Sequence, residues 1–103
     1  MNKELVKNLR DLGFNEREAL IYVALVERVE CTAYELAQAL SLPRTTIYQF
    51  LEKMRQRGIV LVARKNKVRH YSAESFSRLR ELVEIREKAL NLVLPQLQEL
   101  TSR

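Results

Sequence analysis

The stretch that decides the fold is TAYELAQALSLPRTTIYQFLEKMRQR, residues 32–57. Thr32 and Glu35 have the spacing of a capping box, which predicts a helix that begins after Thr32 and ends before the prolyl break. Pro43 disfavours a helical conformation at Leu42 but suits the first turn of a new helix. Two helices joined by only three residues predict a helix-turn-helix.

The second helix of this motif is predicted from Arg44 to about Arg57, and Gly58 ends it. At about 100° per residue, four apolar side chains cluster on its inner face and four polar side chains lie opposite. The inner set is Ile47, Phe50, Leu51 and Met54, and the outer set is Thr45, Gln49, Glu52 and Gln56.

The hydrophobic period changes after this helix. Residues 59–63 form a short β-rich run, residues 64–67 a polar turn shaped by Asn66, and residues 68–71 can return as an antiparallel strand. A hairpin directly after a helix-turn-helix is a wing. Its predicted tip is basic, with Arg64, Lys65, Lys67 and Arg69.

Two further helices are predicted before this motif. The first runs to about Asp11 and stops at Gly13, a residue that readily supplies a left-handed cap. The second opens with the capping-box pair Asn15 and Glu18 and ends near Val29.

A long helix is predicted after the wing, from Ser72 as its N-cap to about Leu100. Its apolar residues alternate four-residue and three-residue steps, as in a heptad seam, with one interruption at Arg86. Such a helix is longer than one small domain needs to cover its core. We therefore predict that the seam packs against a second copy of the chain. Pro95 is expected to kink the helix or end it nearby. The predicted dimer interface is Leu79, Val83, Leu90, Val93, Leu97 and Leu100.

These elements predict a mainly α fold with a small β-hairpin, an α+β chain. We expect a winged helix-turn-helix domain over residues 1–72 and a C-terminal dimerisation helix over residues 73–103. A length of 103 residues fits one compact domain with an appendage and is cramped for two domains.

Basic charge is concentrated in the same part of the chain. The formal net charge is +5, but residues 41–71 hold eight basic side chains against Glu52 alone, a net +7, and the other residues carry a net −2. This imbalance favours a polyanion as partner. A solvated basic surface is the alternative that charge alone leaves open.

The sequence contains few residues that could catalyse a reaction or bind a metal ion. One histidine and one cysteine offer no catalytic triad and no metal cluster, and no glycine-rich phosphate loop is present. We therefore expect no enzyme activity, no metal and no cofactor. The N-terminal segment mixes charges into its apolar pattern, so we predict neither a signal peptide nor a membrane span and expect a cytoplasmic protein.

The order and spacing of six short motifs resemble a known family. The motifs are LGFNEREA at 12–19, YVAL at 22–25, LPRTTIY at 42–48, LEKM at 51–54, RGIV at 57–60 and RHYS at 69–72. Over roughly residues 5–100 the chain resembles the N-terminal DNA-binding domain of TrmB-like transcriptional regulators. The resemblance implies double-stranded DNA and a second copy of the chain as partners. Larger family members carry a C-terminal sugar-binding domain, for which 103 residues leave no room, so sugar sensing is not expected.

A recognition helix over residues 44–57 would place specific side chains in the major groove. Arg44 and Gln49 are the predicted base readers, because arginine favours guanine edges and glutamine favours adenine. The four basic wing residues are predicted to reach the backbone or the minor groove. The predicted phosphate and thymine-methyl contacts are Thr45, Thr46, Tyr48 and Lys53.

Each assignment has an alternative. Thr45 or Thr46 caps the helix, Tyr48 buries its ring between the helix and the wing, and the wing charges protect an exposed hairpin edge from aggregation. Cys31 is either a redox sensor at a helix N-terminus or, as we favour, small core filling. His70 either senses pH or, as we favour, packs as an ordinary strand residue. For the whole chain, the alternative is a protein-interaction module that never touches DNA.

Overall fold

The order of helices and strands follows the sequence prediction. The computed structural model describes residues 2–102, and that part contains five α-helices and one two-stranded antiparallel hairpin. The mainly α fold with a small hairpin is therefore confirmed. The elements are α1 (Lys3–Asp11), α2 (Glu16–Arg28), α3 (Ala33–Leu40), α4 (Arg44–Gln56), β1 (Val60–Lys65), β2 (Val68–Ala73) and α5 (Ser77–Thr101).

Capping boxes fix where α2 and α3 begin. Asn15 Oδ1 accepts from the Glu18 backbone N–H at 2.8 Å, and Glu18 Oε1 accepts from the Asn15 N–H at 2.9 Å. The same reciprocal pair joins Thr32 and Glu35, at 2.9 and 3.1 Å. Hydrogen bonds from Thr32 lower the pKa of Glu35, because they stabilise the ionised carboxylate. Both predicted starts are confirmed.

The core forms where α2, α3, α4 and the hairpin meet. Ile21 and Leu25 of α2 are fully buried, as are Leu36 of α3 and three residues of the predicted inner face of α4. Phe50 packs against the core but is only partly buried. The inner face of α4 is thus Ile47, Leu51 and Met54.

The hairpin corrects two predicted boundaries. β1 pairs with β2 from Val60↔Ala73 to Lys65↔Val68, so the two residues between them form the whole turn. Asn66 and Lys67 both have positive φ, 51° and 66°, as a type I′ turn requires. Residues 64 and 65 therefore belong to β1, although the sequence predicted them in the turn.

The start of the last helix was also predicted wrongly. Ser72 is not its N-cap, because Ser72 pairs with Leu61 inside the hairpin. The longer pairing register carries the strand to Ala73, and α5 begins only at Ser77, with no side-chain cap.

Pro95 lies inside α5 and does not end it. The proline removes the hydrogen bond that the Asn91 carbonyl would accept, and at about 100° per residue both residues lie on the polar side of the helix. Both are exposed, so water can reach that carbonyl. This position explains why the helix continues to Thr101.

Only the first half of α5 is attached to the rest of its own chain. Leu79 and Leu82 pack against the core. Arg78 Nε donates to the Arg57 carbonyl at 3.0 Å, and Arg86 Nη1 donates to the Leu12 carbonyl at 2.8 Å. The described residues beyond Arg86 are all exposed, which gives the molecule its extents of 60 × 28 × 24 Å. Arg86, the charged interruption of the seam, thus holds α5 against the rest of its own chain.

A buried ion pair joins the start of α2 to the end of α4. Glu18, only 5% exposed, accepts a hydrogen bond from Arg57 Nη2 while it also caps α2. The guanidinium of Arg57 lies 6.0 Å from the centre of the Phe14 ring. Burial, with the charge of Arg86, lowers the pKa of Arg57.

Substituting Glu18→Gln keeps an oxygen that can cap α2 but turns an amide N–H toward Arg57. We expect a loss of about 1–3 kcal/mol in the free energy of unfolding, because the charged partner loses its acceptor in a buried place. Urea unfolding followed by circular dichroism measures this loss. Glu16→Gln, on the exposed first turn of the same helix, is the matched control and should change stability by less than about 0.5 kcal/mol. Equal effects of the two variants would contradict the role of the pair.

Candidate nucleic-acid interface

The outer face of α4 is open to solvent. Arg44, Thr45, Tyr48, Gln49 and Lys53 are exposed, whereas Thr46 is half-buried. Pro43 occupies the N-cap, and no side-chain hydrogen bond caps the helix. The capping alternative for Thr45 and Thr46 is therefore wrong.

Tyr48 does not bury its ring between the helix and the wing. Its side chain is 39% exposed, because its position on α4 points away from the buried residues Ile47 and Leu51. The phenol is thus available on the same surface as Gln49.

Two residues on α3 extend this surface, and the sequence analysis missed them. The Arg44 guanidinium lies over the ring of Tyr34, 5.5 Å from its centre. Tyr34 is half exposed, and its hydroxyl accepts a hydrogen bond from Gln38 Nε2 at 2.6 Å. The available signal was their spacing, since residues i and i+4 share one face of a helix. That face is opposite Leu36 and Ala37, which are buried.

The two faces of the wing carry different basic residues. Arg64 and Arg69 are directly opposed across the strands, on the same face as the buried Tyr71. Hydrogen bonds from Arg55 lower the pKa of Glu52 on α4, and the more distant charge of Arg69 adds to this effect. Arg64 and Arg69 therefore lie on the face of the wing that carries the buried side chains of Val60 and Tyr71.

The other face of the wing is held by Glu30. Lys65 Nζ donates to both carboxylate oxygens of Glu30, at 2.7 and 2.9 Å. His70 Nδ1 lies 3.3 Å from Glu30 Oε1. The Lys65 hydrogen bonds lower the pKa of Glu30, and the charges of Lys65 and His70 contribute. Lys65 is thus partly neutralised within the chain.

Ion pairing divides the eight basic residues of the 41–71 stretch into two groups. Arg55 pairs with Glu52, Arg57 with Glu18, and Lys65 with Glu30. The other five form no ion pair with residues 2–102: Arg44, Lys53, Arg64, Lys67 and Arg69. These five, which we call the unpaired basic set, all lie on the helix-turn-helix and the wing.

Cys31 and His70 have structural surroundings. Cys31 is buried, and its backbone exchanges hydrogen bonds with Tyr71 at 3.0 and 2.7 Å, which ties the hairpin to the segment before α3. Burial raises the pKa of the Cys31 thiol to about 11, so it stays protonated and unreactive at neutral pH. The preferred interpretation of Cys31 as core filling is confirmed, and His70 is half-buried beside Glu30.

The described residues contain neither a candidate metal site nor a candidate membrane span. Within residues 2–102, no three or more His, Cys, Asp or Glu side chains are grouped as metal ligands would be. None of the helices described is long and apolar enough to cross a bilayer.

Comparison with known proteins identifies the family. Residues 9–77 match the family described as sugar-specific transcriptional regulator TrmB. The chain belongs to the TrmB family. The matched segment reaches from α1 through the hairpin to the first residue of α5. This family is one of transcriptional regulators, and not of enzymes.

Similar proteins support a winged-helix fold. The chain is 35% identical over 66 residues to the uncharacterized protein YrhO of Bacillus subtilis (strain 168), a match that spans 64% of this chain but only 24% of YrhO. The ST1889 protein of Sulfolobus tokodaii is 22% identical, with a TM-score of 0.73 over 86% of this chain and 97% of that one. TrmBL2, an archaeal chromatin protein whose structure shows a novel mode of DNA binding, is 21% identical, with a TM-score of 0.79 over 96% of this chain and 38% of that one.

The Glu30 contact predicts a specific titration. Because Lys65 lowers the pKa of Glu30, the contact stabilises the wing above the ordinary carboxyl pKa and is lost as the pH falls through the lowered value. We expect Lys65→Gln to raise the midpoint of the Glu30 carboxyl titration, measured by carbon-detected NMR. Lys67→Gln is the control, since Lys67 does not contact Glu30, and it should leave the midpoint nearly unchanged. A midpoint that does not move in Lys65→Gln would show that the contact does not form in solution.

Proposed function

We propose that this chain binds double-stranded DNA in a sequence-specific manner, as a homodimeric prokaryotic transcriptional regulator in the cytoplasm. The observation that carries the proposal is the unpaired basic set, which lies on α4, on the face of the wing that carries Tyr71, and in the turn of the wing. Ion pairs within a chain neutralise charges that maintain the fold, whereas a polyanion partner needs charges that remain available. Membership of a family of transcriptional regulators supports the same conclusion.

In this proposal α4 is the recognition helix in the major groove. Arg44 reads guanine and Gln49 reads adenine, since their donors and acceptors match those base edges. Tyr34 and Gln38 hold the Arg44 guanidinium at the entrance to the groove. The contacts to phosphate or thymine methyl come from Thr45, Thr46, Tyr48 and Lys53, with Thr46 limited by its partial burial.

The wing contributes phosphate or minor-groove contacts. Arg64 and Arg69 are opposed across the strands, and like charges in that position destabilise a hairpin. A phosphate group near both guanidinium groups would remove this repulsion, so the arrangement favours an anion. Lys67 lies in the turn and is free to join them, whereas Lys65 must first leave Glu30 and contributes less.

The homodimer follows from the exposed part of the seam. Val83, Leu90, Val93, Leu97 and Leu100 are all exposed in one chain, which is unusual for large apolar side chains on a single helix. Leu79 is partly buried in its own core and lies at the edge of the interface. Two-fold pairing would present two α4 helices to a roughly symmetric DNA site.

Salt dependence tests the wing. Each lost phosphate contact should reduce the slope of log affinity against log salt by about 0.9. We expect Arg64→Gln combined with Arg69→Gln to reduce the slope by about two such contacts, and Lys65→Gln by less than one. Fluorescence anisotropy with a random-sequence duplex at several salt concentrations measures these slopes. Arg80→Gln combined with Lys88→Gln, on the exposed polar side of α5, removes the same number of charges and is the control for net charge.

Wild-type protein that fails to bind any duplex would contradict DNA binding and would favour the protein-interaction alternative. Equal slopes for the double α5 variant and the double wing variant would instead show that only net charge matters.

Base reading by α4 has a separate test. Arg44→Ala and Gln49→Ala should each relax the preference at one position of the site, by about 1–3 kcal/mol of discrimination. Lys53→Ala should weaken binding to all sequences alike, since a phosphate contact carries no sequence information. Selection from a random DNA library, with wild type and each variant, measures both effects. An unchanged consensus in both base-reader variants would mean that α4 does not read the groove.

A further inference from the structure

The C-terminal half of α5, residues 88–101, has more apolar surface than a two-stranded coiled coil covers. At about 100° per residue, its apolar side chains span an arc of about 200°, which also contains Gln96 and Thr101. Without Leu92, which Gln96 separates from the other apolar residues, the arc is still about 140° wide. A typical helix that packs on one face has an apolar stripe of about 100°, and a coiled-coil seam is narrower still. The side chains in the arc are Ala89, Leu90, Leu92, Val93, Leu94, Leu97 and Leu100, and all of them are exposed in the single chain.

One partner helix would therefore leave part of this arc in water. Leu92 and Leu94 lie near the two edges of the arc and are 70% and 45% exposed. The opposite side of the helix carries Lys88, Asn91 and Gln98. Because a wider apolar face means that more of the helix circumference is buried, this arc favours contact with more than one element.

A second uncovered apolar surface lies at the other end of the molecule. A groove of about 570 Å³ runs between α1, α2 and the start of α5 and is lined mainly by Leu5, Leu9, Tyr22, Val26, Phe76 and Leu79. Phe76 is 61% exposed and Leu5 is 42% exposed. Because Phe76 and Leu79 also begin α5, the groove is continuous with the seam along that helix.

We propose that the C-terminal half of α5 of one copy lies in this groove of a second copy, so that the dimer is interlocked and its α5 helices run antiparallel. This inference rests on the proposed homodimer and deepens it. A chain cannot fill its own groove in this way, because 14 residues of helix extend about 21 Å away from it. Two-fold symmetry makes the contact reciprocal. A single two-fold axis therefore covers the groove and the C-terminal half of α5 in both chains.

The antiparallel arrangement also suits the proposed DNA site. It places the two winged domains near opposite ends of a helix of 25 residues, which is about 37 Å long. Half-sites in successive major grooves are about 34–36 Å apart. A parallel coiled coil would instead start both helices side by side and place Leu97 opposite its own copy.

Engineered cysteines distinguish the two arrangements in the full chain, whose own Cys31 is buried. Val26→Cys lies in the groove and Leu97→Cys lies on the C-terminal half of α5. We expect the double variant to form a disulfide-linked dimer under mild oxidation, and Leu97→Cys alone to remain unlinked, because a disulfide needs the two Cα atoms within about 7 Å. Crosslinking by Leu97→Cys alone, with no gain in the double variant, would overturn the interlocked arrangement and leave the dimer itself in place.

Charge substitutions give an independent measurement. Leu5→Arg and Val26→Arg in the groove should each raise the Kd of the dimer about 30-fold or more, as loss of a central apolar contact does. Analytical ultracentrifugation measures the Kd, and far-ultraviolet circular dichroism checks that each variant folds; Leu5 is the safer site because it is exposed. Asn91→Arg, on the polar side of α5, is the matched control and should remain dimeric.

The outcomes separate this inference from the proposed function. Dimers that tolerate both groove variants would overturn the inference while leaving DNA binding by a dimer intact, and a small apolar ligand would then be the better occupant of the groove. Wild-type chain that stays monomeric at all concentrations would overturn the inference together with the proposed homodimer.

Discussion

The carboxylate of Glu18 connects two helices that are far apart in the sequence. It accepts a hydrogen bond from the Asn15 N–H at the start of α2 and another from Arg57 at the end of α4. A buried charge is tolerated only when it is paired and hydrogen-bonded, so the start of α2 and the end of α4 must come together for this carboxylate to be satisfied. The backbone carbonyl of Arg57 in turn accepts from Arg78 on the first turn of α5, which places the start of α5 beside the same contact.

The same principle explains how the basic charge is divided. Basic residues that face an acidic partner, such as Arg57 and Lys65, hold one element of the fold against another. Arg44 instead lies over an aromatic ring, and Arg64 faces Arg69 across the hairpin. Neither contact neutralises a guanidinium charge, and a repulsive cross-strand pair costs some stability in the free chain. Such an arrangement is consistent with a surface selected for an anionic partner, at the expense of the isolated fold.

Local signals predicted most of the fold, and long-range contacts account for what they missed. Capping boxes, Pro43 and Gly58 act within a few residues, so the starts of α2, α3 and α4 and the turn between α3 and α4 could be predicted from the sequence. The strand end near Ser72 depends on pairing with residues about ten positions away. Glu18 lies 39 residues from its partner Arg57, and Glu30 lies 35 residues from its partner Lys65. The sequence gives the number of basic side chains in the 41–71 stretch, but only the tertiary structure shows which of them remain unpaired.

Arg86 shows how one helix can serve two different surfaces. A continuous apolar seam would let α5 slide along its own domain or along a partner, since apolar contacts have little directional preference. The Arg86 hydrogen bond to the Leu12 carbonyl, beside Gly13, fixes the helix at one position, and a Cβ at residue 13 would collide with the guanidinium. With the first half fixed in this way, the exposed apolar arc of the second half projects in one direction from the winged domain. In the proposed dimer, the winged domain itself would then set the register, which would couple the spacing between the two α4 helices to the anchoring of α5.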